Sequence, residues 1–290
     1  MTTAFLSSGR LTSRWRFPPG VIALLAATLL TLAAPAAAAA EKTPAAASGV
    51  DGAARCATLS DLDLPATKIT AAALVPAGTF NAPTAAPGGA NTFELPAFCR
   101  VEATSEPAVN FEVWLPIEGW TGRFNGVGNG GMAGSISYAS MAYALNRGSA
   151  TVSTDTGHTT SDVPFDASWA SGRPDLIEDF GHRALHLATV QGKAITAAYY
   201  GRRHDFAYYT GCSKGGQQGL MEAQRYPDDY DGLLVGNPAN DWTRFYAGAH
   251  LWYSLATLAE PESYLPPAKL PALGAAVNAA CDELDGVADG

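Results

Sequence analysis

The sequence predicts an α/β protein built on an open, mostly parallel β-sheet. Three observations carry that expectation. Short apolar strand candidates alternate with helical segments long enough to cross back over a sheet, which favours parallel pairing and right-handed connections. The stretch from Phe206 to Arg225 reads as strand, tight turn and helix, with Gly211-Cys212-Ser213-Lys214-Gly215 at the turn. A second glycine-rich turn, Gly128-Asn129-Gly130-Gly131, follows another strand candidate upstream.

The elements follow in order. Asn110 to Pro116 alternates apolar with polar or shorter residues and stops at proline, the pattern of a strand with one exposed face. Phe124 to Val127 is a short strand running into the Gly128 turn. Tyr138 to Arg147 has helical spacing and ends before Gly148, where a helix terminus favours glycine. Ala150 to Ser153 is a small-residue strand leading to the polar loop Thr154-Asp155-Thr156-Gly157-His158. From His182 to Tyr200 apolar residues fall at 185, 187, 188, 190, 194, 195, 197 and 198, with Gly201 after them, a helix packed on a sheet. Phe206 to Thr210 is the next strand, Gly215 to Tyr226 the helix closed by Pro227, and Gly232 to Gly236 a further buried strand. Beyond Asn240, alanine-rich and aromatic helical pieces are broken by Pro261, Pro266, Pro267 and Pro271. The expected division is therefore a leader over 1–40, a flexible lead-in over 41–55, a core over 56–240 and the start of a second, smaller unit over 241–290.

Composition narrows the function classes. The 290 residues are 47% hydrophobic and 16% charged, enough apolar material for a substantial core. A net charge of -9 argues against a nucleic-acid partner. The first forty residues comprise a cationic stretch ending at Arg16, an apolar run from Val21 to Leu32, and a tail ending in Ala38-Ala39-Ala40. This is the anatomy of a secretory leader cleaved after about Ala40. The alternative is a retained anchor, but the run is short for a bilayer, and no stable membrane insertion is expected. Loss of Arg10, Arg14 and Arg16 with the leader makes the mature chain more acidic still. A secreted or periplasmic location turns Cys56, Cys99, Cys212 and Cys281 into disulfide candidates. Three pairings are open; Cys56–Cys99 is preferred, closing a loop of about 43 residues for about 4 kcal/mol by chain entropy.

Ser213 is the candidate nucleophile. Small residues at Gly211 and Gly215 let a serine occupy a strained strand-to-helix turn, and the helix that follows aims its N-terminal amides at it. The Lys214 N–H would be one oxyanion donor and Gly130 or Gly131 the other. A turn whose serine only caps a helix is the alternative. In this motif the activating histidine follows the serine, and His250 alone does so. It lies in an aromatic helical stretch and reads better as a core or pocket residue. His158, after its Thr-Asp-Thr-Gly turn, is placed to line the site; His182 and His186, one turn apart, belong to a helix face. His204 also precedes the serine.

Taken together, Gly126-Val-Gly-Asn-Gly-Gly131, Thr154-Asp-Thr-Gly-His158, Tyr200-Gly201, Gly211-Cys-Ser-Lys-Gly-Gly216, Tyr226-Pro-Asp-Asp-Tyr-Asp-Gly232 and Cys281-Asp-Glu-Leu-Asp-Gly-Val-Ala-Asp-Gly290 resemble the tannase and feruloyl esterase family, which includes mono-hydroxyethyl terephthalate hydrolase. The resemblance runs from about Cys56 to the last residue. It implies an α/β-hydrolase core with a lid inserted after Gly232–Gly236, and a serine esterase acting on small aromatic esters, feruloyl or galloyl, through an acyl-enzyme at Ser213. No organic cofactor is implied. The catalytic acid, the histidine and a cysteine partner for Cys212 are expected beyond Gly290. On that expectation the last strands of the sheet are missing, Gly232–Gly236 is an open edge, and the 290 residues alone are inactive.

The resemblance also implies one structural calcium ion at the final motif. The carboxylates of Asp282, Asp285 and Asp289 and the carbonyl of Val287 would hold it, with further ligands, and a partner for Cys281, still to follow. An acidic surface turn is the alternative. Lys214 stands where the family more often has a small polar or acidic residue, either as a cation facing an anionic ester or as solvated surface. Trp242, Phe245, Tyr246, Trp252 and Tyr253 are placed at the lid entrance or in the lid core. The rival functions are a non-catalytic, secreted calcium-dependent binding protein and a lipase-type esterase. Nothing in the sequence fixes an oligomeric state.

Overall fold

The computed structural model describes residues 49–83, 91–159 and 166–289, so the leader and the first part of the lead-in lie outside the described residues. Its strands are β1 (Thr67–Val75), β2 (Gly78–Asn81), β3 (Thr92–Leu95), β4 (Phe98–Ser105), β5 (Val109–Pro116), β6 (Arg123–Val127), β7 (Ala150–Thr154), β8 (Phe206–Cys212) and β9 (Gly232–Gly236). Its helices are α1 (Gly49–Thr58), α2 (Tyr138–Asn146), α3 (Pro174–Glu178), α4 (Ala184–Tyr200), α5 (Lys214–Arg225), α6 (Leu251–Ala259) and α7 (Leu270–Cys281). A π-helical turn, Asp179–Arg183, joins α3 to α4.

Seven strands form one sheet in the order β1-β4-β5-β7-β6-β8-β9, and β2 pairs with β3 separately. The half made of β7, β6, β8 and β9 is parallel, as expected from the helices between those strands. The other half is antiparallel. The turn from Ser105 to Val109 is too short for a crossover, so β4 and β5 can only run antiparallel. Most of that half was not expected from the sequence. Its clearest signal is in β4, where Val101 and Ala103 are buried and Arg100, Glu102 and Thr104 are half-exposed, a two-residue period.

The structure corrects the expectation of an exposed face on β5. Phe111, Val113 and Leu115 pack in the core shared with α4, while Trp114 packs on the opposite face with Met141 and Leu145 of α2. Glu112 is buried with that second face because four bonds receive it: Arg100 donates through Nε and Nη2 at 2.8 and 2.6 Å, and Trp114 Nε1 and Tyr138 Oη each donate at 2.8 Å.

A second correction concerns the lead-in. Helix α1 starts at Gly49, within the span expected to be flexible, because its contacts hold it down. The Cys56–Cys99 disulfide is formed and ties it to β4. A β-carbon on Gly52 would lie 2.6 Å from Ile117 Cγ2, and the Tyr199 hydroxyl donates to the Gly52 carbonyl at 3.3 Å. At the other end no described side chain from 241 to 289 is buried. Phe245, Trp252, Tyr253 and His250 are all exposed among the described residues; the side chain of Tyr246 lies outside the described set. No helix among the described residues is long and apolar enough to cross a membrane.

Replacing Glu112 by Ala leaves the Arg100 guanidinium, 18% exposed, without its bidentate partner. The expected cost is about 3–5 kcal/mol of unfolding free energy by denaturant titration.

Candidate active site

Ser213 joins β8 to α5 with φ 59° and ψ -117°, a backbone region that strains a non-glycine residue. Neighbouring backbone holds it there. The Ser213 amide donates to the Gly236 carbonyl at 3.1 Å, and the Ser213 carbonyl accepts from Gln217 at 3.1 Å and Ala239 at 3.0 Å. The flanking glycines are required by contact. A β-carbon on Gly211 would lie 2.4 Å from the Gly215 carbonyl oxygen, and one on Gly216 2.4 Å from that of Gly236. The serine itself is exposed while Lys214 to Gly219 behind it are buried.

The glycine loop after β6 is fastened to the same elbow. Gly128 donates to the Thr210 carbonyl at 3.0 Å, and Gly215 donates to the Asn129 carbonyl at 2.8 Å. A β-carbon on Gly128 would lie 2.5 Å from Gly215 Cα. Two side chains missed from the sequence complete the link. Asn129 N–H donates to Gln218 Oε1 and Gln218 Nε2 donates to Asn129 Oδ1, both at 2.9 Å. Asn129 Nδ2 donates to the Ser135 and Thr154 carbonyls at 2.9 and 2.7 Å. Asn129 carried a signal, as the one non-glycine in its turn; Gln218 carried none, its partner being remote in sequence. Beside the elbow lies a cavity of about 360 Å³ lined by Gly130, Ser137, Gly211, Cys212 and Leu234.

His158 does not line the site as a free imidazole. Its Nε2 lies 2.8 Å from the Met132 carbonyl, which can only accept, so Nε2 carries the proton. The ring stacks on Trp169 at 3.8 Å, and burial holds its pKa below the ordinary value. His158 thus braces the glycine loop from behind. Asp155 on the same turn is pushed up to about 6 by burial, although it accepts from Gly157 and Asn110. Lys214 contradicts both expectations for it. Its side chain is buried, neither solvated nor open to a ligand, and Nζ donates to the Phe180 carbonyl at 2.7 Å and to Gln217 Oε1 at 2.6 Å. Burial pulls its pKa down to about 7. Trp242 packs edge to face on Phe180, 5.5 Å between ring centres.

His182 and His186 lie on a helix face, as expected, turned to Tyr226. His182 Nδ1 is 2.8 Å from its hydroxyl, and His186 stacks on its ring at 3.8 Å. His186, Glu222 and Asp229 bring ligand-type atoms within 4.8 Å of one another. His186 Nδ1 and Asp229 Oδ2 bond directly at 2.6 Å, next to Glu222 of α5. Glu222 is 1% exposed, and no donor among the described residues reaches its carboxyl oxygens. Burial, reinforced by the Asp229 charge, pushes its pKa up to about 9.

At the chain's far end, Asp282–Asp285 forms a 3₁₀ turn stopped by Gly286 at φ 92°, and the Asp289 amide donates to Asp282 Oδ1 at 3.2 Å. The turn thereby brings Asp282 and Asp289 together. Cys212 and Cys281 are exposed thiols among the described residues.

The model of the family described as tannase and feruloyl esterase matches residues 94–290. The chain belongs to that family. An uncharacterized esterase of Xanthomonas campestris pv. campestris is 43% identical over 241 residues, covering 82% of this chain and 41% of that protein. A probable feruloyl esterase B of Aspergillus clavatus is 37% identical over 245 residues, covering 81% and 45%. The chain thus spans less than half the length of these curated relatives. Among solved structures, feruloyl esterase B from Aspergillus oryzae superposes with a TM-score of 0.70 at 32% identity, covering 82% of this chain and 48% of that one. Tannin acyl hydrolase from Aspergillus niger gives 0.61 at 25%, covering 83% and 45%. The fold of this tannase-family chain is the α/β-hydrolase type.

Glu222 supplies a pH test. Its folded pKa lies above the unfolded carboxyl value, so the native state keeps a proton that the unfolded state releases, and its contribution falls as pH rises from about 4.3 towards 9. Glu222→Gln removes that loss. Its melting temperature should match wild type near pH 4 and exceed it increasingly up to pH 9; a constant difference would contradict the raised pKa.

Proposed function

We propose that this tannase-family chain carries the nucleophile and oxyanion hole of a secreted serine carboxylic-ester hydrolase acting on small aromatic esters. The strained φ and ψ of exposed Ser213, held at the junction of a parallel strand and a helix, is the observation that carries the proposal. The feruloyl esterase and tannin acyl hydrolase names of its relatives point to the aromatic acyl group.

The reaction is acyl transfer in two steps. Ser213 Oγ bonds to the ester carbonyl carbon as a base takes its proton, and the electron pair moves onto the carbonyl oxygen. The N–H groups of Lys214 and of Gly130 or Gly131 stabilise that oxyanion, favoured by the N-terminal end of α5. Collapse breaks the ester C–O bond, the alcohol leaves with a proton, and water then cleaves the acyl-enzyme to the free acid. His158, His182 and His186 are bonded elsewhere, and the family resemblance implies that the base and its acid partner lie outside the described residues. The leader motif and the Cys56–Cys99 bridge support export.

The closing turn offers hard oxygen donors of the kind a calcium loop uses. Asp282, Asp285, Asp289 and the Val287 carbonyl would hold the ion, whose part is to fix the loop.

A fluorophosphonate probe on the full-length gene product should label Ser213, and Ser213→Ala should abolish labelling; a folded wild-type protein left unlabelled overturns the assignment. Faster turnover of methyl ferulate or methyl gallate than of long-chain p-nitrophenyl esters is expected, and the reverse order would favour a lipase-type enzyme. Calcium at a hundredfold its Kd should stabilise the protein by about 2.7 kcal/mol, read as a rise in Tm. Asp285→Ala should lose that rise and keep the label at Ser213.

A further inference from the structure

Lys214 is 1% exposed, directly behind the exposed serine. A buried ammonium is costly unless its protons and charge find partners. Among the described residues no carboxylate bonds it; the partners are neutral. The Phe180 carbonyl and Gln217 Oε1 accept from Nζ, which also lies 3.6 Å from the Phe180 ring centre and 5.8 Å from that of Trp242. A leucine or methionine would fill the same space without desolvating a charge, so packing does not account for the amine.

The partners sit on three separate pieces of chain. Gln217 is on α5, Phe180 is on the π-helical turn between α3 and α4, and Trp242 stands at the entrance of the 241–289 span. The backbone N–H of the same lysine is the proposed oxyanion donor. We infer that Lys214 is a positioning residue whose side chain locks the peptide behind Ser213 to the Phe180 turn and to Trp242, so that one group sets both the oxyanion donor and the seat of the 241–289 span. Its amine satisfies two acceptors and faces two rings, an arrangement that is directional where an alkyl chain is not. The inference rests on the reading of Ser213 as nucleophile.

The test uses the full-length gene product with p-nitrophenyl acetate, a substrate too small to depend on the lid. Lys214→Met should lower kcat by about ten- to a hundredfold and leave KM within about twofold, because a misplaced donor acts in the transition state. Fluorophosphonate labelling should still reach completion, slowed in proportion. Trp242→Leu should lower kcat less. The double variant should be no slower than Lys214→Met within about twofold, since both act through one joint. An unchanged kcat in Lys214→Met, or losses that multiply in the double variant, would overturn the inference. If Lys214→Met does not fold, Gln217→Leu and Trp242→Leu replace it, and unchanged kcat in both is then the overturning result. Failure of the nucleophile assignment itself looks different, because wild type would not be labelled at all.

Discussion

Where β8 turns into α5, backbone from separate stretches of chain approaches more closely than a β-carbon allows. Gly128 comes from the loop after β6, Gly211 and Gly215 flank Ser213, and Gly216 meets the end of β9. These contacts require the parallel order β6-β8-β9. In the pairing register Val127 lies beside Thr210 and Cys212 beside Gly236, so the three strands end within two residues of one another and release their loops around the same serine. Ligand-binding loops at the carboxyl ends of parallel strands are the general property of open α/β sheets. Here the glycines make the convergence close enough to force a non-glycine residue to positive φ.

The strain at Ser213 costs on the order of 1–3 kcal/mol, and a backbone hydrogen bond contributes about 0.5–1.5 kcal/mol net. The bonds from Ser213 to Gly236, from Gln217 and Ala239 to Ser213, and from Gly215 to Asn129 are sufficient in number to offset it. The reciprocal Asn129–Gln218 amide pair adds stiffness, because it saturates groups that water does not reach. Under α5, His186 and Asp229 bond each other at the cost of a neighbouring protonated Glu222. The elbow is therefore supported from the loop above and the helix below, which keeps a strained serine in one conformation.

Legibility in the sequence followed the range of the interactions. The strands β6 to β9, the helices α2, α4 and α5 and the elbow are coded by local signals: apolar period, glycine at turns, proline after a helix. The disulfide was preferred correctly because few pairings exist. β1 is alanine-rich and its burial hardly alternates, so it gave no comparable signal. β5 was found with its second face misjudged, since Glu112 looks like surface until Arg100, Trp114 and Tyr138 are seen around it. Lys214 failed likewise: its environment is made by Phe180 and Trp242, which no local pattern connects to it. His158 reads from the sequence as a residue lining the site, and its bond to the Met132 carbonyl instead makes it a brace for the glycine loop.

The exposed apolar residues of α6 and α7 bear on how the 241–289 span relates to the elbow. Leu255, Leu258, Leu273 and Val277 are at least half-exposed, so these helices gain little from burial among the described residues. Cation–π attraction of about 0.5–2 kcal/mol at Lys214 is too weak to hold such a span in place by itself. It is comparable, however, with the strain stored at Ser213. A contact of that size does not fix the 241–289 span by itself. On the proposed reading of Lys214, the Trp242 ring 5.8 Å from Nζ ties the start of the 241–289 span to the peptide behind Ser213.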